Sequence, residues 1–245
     1  INNKNLRYKI PHTLSKKLIN EKILKISRRS KYLIFHFKKK LLLAHLGMSG
    51  KILLTRSSDS AVFKTSFYYD FNILPKHNHV YFKLNNGLIL IYNDVRRFGF
   101  FKLYYNTKLN EIIFLKKLGL EPLSKKFNTK YFKRLTLNKK KNVKNLLMDQ
   151  TFISGLGNIY VNEVLFMSKI HPLRTCDGLN KTEMKKLILK PKECIIVENS
   201  PIGVESAKAT GAYCIAICST LDKEHLAQAD IILNTIGELS SLFGQ

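Results

Sequence analysis

The sequence predicts an α+β protein in which sheet comes first, helices follow, and a separate α/β unit closes the chain. Three observations predict it. Short apolar runs bounded by turn residues recur between positions 32 and 92, as antiparallel strands require. Two apolar-periodic segments, 143–150 and 159–167, flank Gly155-Leu156-Gly157, which reads as helix, tight turn, helix. From position 194 the order becomes strand, turn, helix, glycine stop, strand, a parallel arrangement.

Positions 6–26 mix short polar and apolar pieces and carry no motif. Ser27-Arg28-Arg29-Ser30-Lys31 then leads into a strand at 32–37, Lys38-Lys39-Lys40 turns the chain, and 41–46 returns as a second strand. Arg28, Arg29 and Lys31 gather at one strand mouth, where they fit either a solvated cluster or a grip on a phosphate backbone. His45-Leu46-Gly47-Met48-Ser49-Gly50 ends the second strand in a glycine-bounded turn with Met48 at its tip. His77 and His79 open a strand at 80–84 and are expected to share its face, and Asn85-Asn86-Gly87 turns it into a partner at 88–92. A zinc site there lacks a third ligand.

Tyr92-Asn93-Asp94-Val95-Arg96-Arg97-Phe98-Gly99 places two arginines beside an aromatic ring in a turn. That suits phosphate contact and insertion into a base stack; equally, Asp94 is close enough to pair with an arginine and leave Phe98 in the core. Leu118-Gly119-Leu120-Glu121-Pro122-Leu123-Ser124 reads as a linker with a helix start at Ser124. At the later turn, Gly155 and Gly157 permit positive φ and Asn158 sits in the capping position of the next helix. The turn fits an anion site, or an ordinary helix corner.

Composition bounds the partner. The chain of 245 residues has a formal net charge of +25 and 45% hydrophobic residues, enough for a core. Positions 1–189 hold 38 Lys/Arg against 10 Asp/Glu, whereas 190–245 hold 4 against 7, so the chain changes character near Lys190. The basic body points to nucleic acid before membrane, although lysine-rich, Asn- and Ile-rich composition also follows from A/T-rich codons. No apolar run reaches membrane-spanning length, and no signal peptide is evident; Ile1 in place of Met indicates a missing or processed start. Cys176, Cys194, Cys214 and Cys218 form no Cys-x-x-Cys pair, so free thiols in a reducing cytoplasm are expected.

Seven ordered stretches resemble the bacterial formamidopyrimidine-DNA glycosylases: Arg28 to Leu33, His45 to Gly50, His77 to Val80, Tyr92 to Gly99, Leu118 to Ser124, Gly155 to Glu163 and His171-Pro172-Leu173-Arg174. The resemblance implies a truncated β-sandwich lobe at 1–122 and a helix-two-turn-helix DNA-binding lobe at 123–189. It implies base-excision repair: a glycosylase and abasic-site lyase acting on oxidised purines such as 8-oxoguanine, by base flipping and attack of an N-terminal proline amine on the sugar. Carried over, Lys31 assists the chemistry near the lesion phosphate. Met48, Arg96 and Phe98 fill the gap left by the flipped base, while His45, His77, Arg97, Lys140, Asn158 and Tyr160 contact or border the DNA backbone. The implied partner is double-stranded DNA with oxidised or abasic lesions, met by a monomer in the bacterial cytoplasm with the nucleoid.

The departures are equally part of the expectation. The nucleophilic proline, its neighbouring glutamate, the lesion-capping loop and the cysteine zinc finger have no counterpart, so an incomplete catalyst with no cofactor of its own is expected. Residues 190–245 resemble the C-terminal part of haloacid-dehalogenase-like phosphatases of the β-phosphoglucomutase type, a Rossmann-like fragment. In that resemblance Glu198 helps hold magnesium and Asn199 replaces an aspartate, but the Asp-x-Asp nucleophile motif is missing. The chain reads as two gene fragments joined. The alternatives are therefore a magnesium-dependent phosphatase fragment and a non-catalytic DNA-binding protein.

Overall fold

The computed structural model describes residues 1–56, 74–188, 195–218 and 221–243. Two compact units emerge, Ile1–Gly119 with Gln150–Gly155, and Leu120–Asp149 with Leu156–Gln245.

The first unit opens with a short helix, α1 (Leu14–Leu18), and carries seven strands: β1 (Lys25–Arg29), β2 (Tyr32–His36), β3 (Lys40–His45), β4 (Lys51–Arg56), β5 (Asn78–Lys83), β6 (Leu88–Asn93) and β7 (Phe100–Tyr105). They form two antiparallel sheets, in the orders β1-β2-β3-β7 and β4-β6-β5. Side chains alternate across a strand, so Phe35, Leu42, Ala44 and Phe101 of the first sheet meet Val80 and Tyr92 of the second, with Leu6, Ile10 and Leu14 added from the N-terminal segment. The intervening residues Ile34, Leu43 and Phe100 face the other way, onto Ile112 and onto Leu115 of helix α2 (Ile113–Lys116). Burial on both faces is why the runs at 32–37 and 41–46 read as continuous apolar stretches.

Turn chemistry follows the sequence closely. Ser30 and Lys31 form a two-residue hairpin loop between β1 and β2, with Ser30 at φ 55°. Gly87, at φ 79°, closes β5 onto β6. β1 carries no alternating pattern; as a mostly exposed edge strand it needs none. The expected face shared by His77 and His79 does not form. Pro75 starts a 3-10 turn, Pro75–His77, and the strand begins only at Asn78.

The second unit holds α3 (Thr129–Thr136), α4 (Val143–Met148), α5 (Asn158–Met167) and α6 (Lys181–Lys186). Helix α3 starts five residues after Ser124, because Asn128 rather than Ser124 supplies the cap, its side chain accepting from Tyr131 N at 3.0 Å. Asn142 caps α4 likewise. Asn158 is not a cap. Gly157, extended at φ −123°, takes that place and its carbonyl accepts from Val161 N at 3.0 Å, so Asn158 becomes the first helical residue. Only Gly155 of the two glycines uses positive φ, at 104°.

Further along this unit come β8 (Ile195–Glu198), α7 (Pro201–Thr210), β9 (Tyr213–Ile217), β10 (Ile231–Leu233) and α8 (Glu238–Phe243). The strands are parallel in the order β10-β9-β8. Ser200 caps α7 through Gly203 N at 3.1 Å and Gly211 ends it at φ 79°, as the glycine-stop pattern requires. Between β9 and β10 the chain makes a 3-10 turn, Lys223–Leu226. The composition change near Lys190 and Cys194 fall outside the described residues.

Candidate nucleic-acid interface

The site is built on two loops, 46–50 between β3 and β4 and 94–99 between β6 and β7. Asp94 holds them together. Its side chain is fully buried and one oxygen accepts from Ser49 Oγ at 2.5 Å and Arg96 N at 3.2 Å, the other from Tyr92 Oη at 2.6 Å and Gly99 N at 3.0 Å. Burial pushes the carboxyl up, but the hydrogen bonds from Ser49, Tyr92 and the two amides outweigh it and hold the group below the ordinary carboxylate range. Tyr92 moves the opposite way: burial first, then the bond to Asp94, raises its hydroxyl.

Close backbone approach completes the clasp. Gly47 lies at φ 74°, and a Cβ there would meet Gly99 N and Phe98 C at 2.7 Å; only glycine fits both constraints. Beneath, His79 Nε2 bonds the Asp94 carbonyl at 2.7 Å. The buried histidine is thus a brace, and among the described residues no group of three His, Cys, Asp or Glu has metal-binding placement.

Upon this base stand the three side chains singled out from the sequence. Met48 is 75% exposed and Phe98 43% exposed. The Arg96 guanidinium lies over the Phe98 ring at 4.5 Å from its centroid, and Nη1 approaches Met48 Sδ at 3.3 Å. Neither Phe98 in the core nor an Arg–Asp94 ion pair is what forms; Asp94 accepts from the Arg96 backbone amide instead. Cation–π contact with the ring keeps the fork extended without consuming its donors. Arg97 is exposed, at φ 58°.

His45 ends β3 beside this cluster. Its Nδ1 accepts from Gly47 N at 3.0 Å, its ring stacks on Phe100 at 5.6 Å, and burial, with Arg7 and Lys31 adding positive charge, keeps it below the ordinary histidine value. The ring is therefore neutral at pH 7, with Nε2 as the donor. Tyr32 pairs with His45 in the sheet, which sets Lys31, at the hairpin tip, beside that strand end. Partial burial lowers the Lys31 ammonium.

Arg29 does not face a ligand. Its guanidinium binds Ser154 Oγ at 2.9 Å and the Gly119 carbonyl at 2.6 Å, and Arg28 turns back onto the Ser30 carbonyl at 2.9 Å. Lys31 is exposed at the tip of the same hairpin. His77 is half-buried in its 3-10 turn. Lys140, in the loop before α4, and Asn158 and Tyr160, on the first turn of α5, are exposed in the second unit. Glu198 is engaged locally, one oxygen accepting from Ser200 Oγ at 3.1 Å and Asn199 N at 3.2 Å.

Two family models account for most of the chain. The formamidopyrimidine-DNA glycosylase N-terminal domain matches residues 1–101 and the H2TH domain of the same enzymes matches residues 118–199. The chain belongs to the formamidopyrimidine-DNA glycosylase family. Relatives in that family include the enzyme of Rickettsia bellii, 41% identical over 192 residues, and that of Bartonella tribocorum, 42% identical over 179. These alignments cover 78% and 71% of this chain and 65% and 60% of the relatives, so the chain spans less than two thirds of their length. A solved complex of Lactococcus lactis Fpg with DNA containing an abasic site is similar at 35% identity and a TM-score of 0.62, over 71% of this chain and 60% of that one. The fold is thus that of the family, a β-sheet N-terminal domain and a helical H2TH region. The H2TH match continues to residue 199, past the composition change.

Among the described residues Cys176 and Cys214 are buried and Cys218 half-buried, and burial pushes the Cys176 thiol up to about 11. Among the described residues no helix is long and apolar enough to cross a membrane.

Proposed function

We propose that this chain acts in base-excision repair as a DNA glycosylase and abasic-site lyase of oxidised purines, and that its own residues recognise the distorted duplex. The observation that carries the reading is the Met48, Arg96 and Phe98 cluster: three exposed side chains, Arg96 touching both of the others, raised on two loops clasped by a buried carboxylate. An extruded nucleotide leaves an unstacked gap and an orphaned partner base. Met48 and Phe98 supply apolar surface and a ring to refill the stack, and the guanidinium supplies the donors the orphan needs.

The remaining roles are assigned on the same basis. His45 presents a neutral N–H and Lys31 an ammonium beside the lesion phosphate; His77, Arg97, Lys140, Asn158 and Tyr160 border the backbone. The proposed division is a sandwich domain at 1–122, a helix-two-turn-helix domain at 123–189 and an α/β fragment at 190–245. The parallel β10-β9-β8 order supports a Rossmann-like reading of that fragment. Magnesium at Glu198 belongs only to the phosphatase alternative, and magnesium-dependent release of phosphate from a simple ester by the full chain would favour it. The partner is duplex DNA, bound by a monomer without a metal, so a chelator should leave binding unchanged.

The test is competition between an abasic-analogue duplex and an intact duplex for the full chain. Arg96→Ala and Phe98→Ala are each expected to weaken abasic binding by about tenfold to a hundredfold, since one stacked contact is worth about 1–3 kcal/mol. Intact-duplex binding should change little. Equal losses on both duplexes refute the wedge. Affinity should fall steeply with salt as phosphate contacts release counterions; a flat salt response refutes DNA as partner.

A further inference from the structure

Strand β7 is the last strand of its sheet, and its outer edge lines a groove of about 540 Å³. One wall is the run Phe101 to Tyr105; the opposite wall is the N-terminal segment from Tyr8 to Lys17. The two walls begin together, Arg7 N donating to the Gly99 carbonyl at 3.2 Å, and then diverge.

The hydrogen-bond parity of the edge can be read from the ladder. Asn106 N donates to the Lys39 carbonyl at 3.0 Å, so in the antiparallel register residues 100, 102 and 104 bond β3 and residues 101, 103 and 105 point outward. Thr107 Oγ1 donates to the Tyr105 carbonyl. Among the described residues nothing bonds the outward N–H and C=O of Phe101 and Leu103.

The groove is also cationic. Lys9, Lys17 and Lys102 line it and no carboxylate does. Lys102 Nζ lies 4.2 Å from the Tyr8 ring centroid and Lys17 Nζ 5.3 Å from that of Tyr105. A face of each ring is thereby covered by an ammonium, which disfavours stacked bases. Phe101 itself is buried, so what remains open along the edge is the main chain of half-buried Leu103 and the N–H of exposed Tyr105. Another extended backbone matches that pattern.

We propose that this groove binds an extended acidic peptide segment of a protein partner, which adds to β7 as a fifth strand. Its main chain pairs with Leu103 and the Tyr105 N–H, and its carboxylates meet Lys9, Lys17 and Lys102. The surface is independent of the Met48, Arg96 and Phe98 cluster, which stands on the loop before the opposite end of β7. It gives a DNA-bound chain a means of holding a second protein.

Backbone amide exchange in the full chain tests this directly. The probe is a peptide of about eight residues alternating glutamate with valine, long enough to span a strand of this length. On its addition the Leu103 and Tyr105 amides should slow by at least about tenfold, as newly bonded amides do. Lys102 and Tyr104, already bonded to β3, should not change. The same peptide N-methylated on its edge-facing amides should lose binding, and Lys17→Glu with Lys102→Glu should weaken it while sparing duplex binding. Equal binding of the methylated peptide overturns strand addition. So does protection that spreads evenly over β7, protection given by oligothymidylate but not by the peptide, or no protection at saturating peptide. Self-protection that grows with protein concentration would assign the edge to a second copy and overturn the proposal as well.

Discussion

Replacing Asp94 tests whether the clasp, rather than the loops themselves, sets the recognition cluster. Four donors converge on two carboxylate oxygens. In Asp94→Asn the amide oxygen is best kept toward Tyr92 Oη and Gly99 N, because the NH2 then faces Ser49 Oγ, which can turn to accept. Arg96 N retains a partner, since it also lies 3.2 Å from Ser49 Oγ. No buried donor is orphaned, and what is lost is charge assistance, partly offset by no longer burying a charge; about 1–2 kcal/mol of stability should go. Asp94→Ala is different. Tyr92 can swing to the Leu46 carbonyl at 3.3 Å and Ser49 can rotate, but the Gly99 amide is left buried without an acceptor. That orphan and the lost bonds together should cost about 3–5 kcal/mol.

The assay pairs denaturant melts with the competition between abasic and intact duplexes. The alanine variant should lose abasic preference by on the order of tenfold, a little over one kcal/mol of misplacement, with its intact-duplex affinity retained; the asparagine variant should keep most of both. If alanine and asparagine prove equally stable, or if the alanine variant keeps its full abasic preference, the clasp does not position the cluster. A second signature is pH. Asp94 sits below its unfolded value, so its contribution is fully present above about 3.9 and is lost as pH falls through the folded value; Asp94→Asn should flatten that acid limb.

Other expectations follow from single contacts. Gly47→Ala places a Cβ 2.7 Å from two backbone atoms at φ 74° and should cost at least about 1–3 kcal/mol in a thermal melt. Arg29→Lys keeps the charge but not the two-pronged reach to Ser154 and Gly119, and should lower stability by about 1–3 kcal/mol; a neutral result would remove Arg29 as a brace. His45, held below its ordinary value, stabilises fully above about 6.5 and loses that contribution as pH falls through its folded value. His45→Gln should abolish this limb of the stability–pH curve, measured by melts across the range.

The sequence carried the strands at 32–37, 41–46 and 88–92 because their apolar residues are consecutive or alternate, and burial there is decided by period alone. Edge strand β1 left no such trace. Met48, Arg96 and Phe98 were legible as a motif, whereas their support was not: Asp94 finds Ser49 from 45 positions away, and nothing in local spacing encodes that pairing. Sequence offers it only as one possible partner for an arginine, because charge is visible in sequence and hydrogen-bond direction is not. His77 left its expected strand face for a reason that was present, Pro75 two positions earlier, which favours a turn. The cap at Asn158 moved by one because Gly157 could stay extended where a side chain was expected to do the work.

The reach of Arg29 to Ser154 and Gly119 also constrains how the chain is made. Residues 150–155 belong to the first unit, where Phe152 and Ile153 are buried and Gln150 receives Gly119 N at 2.8 Å. Thirty residues of the second unit intervene between those two pieces. On a ribosome, then, the sandwich emerges early but stays unfinished until residue 155 has cleared the exit, long after β7. A cut at position 119 would release the first unit without residues 150–155, and so without the acceptor of Gly119 N and one anchor of Arg29. Any attempt to separate the first unit from the helical region must carry 150–155 along, or graft it back through a linker joining 119 to 150.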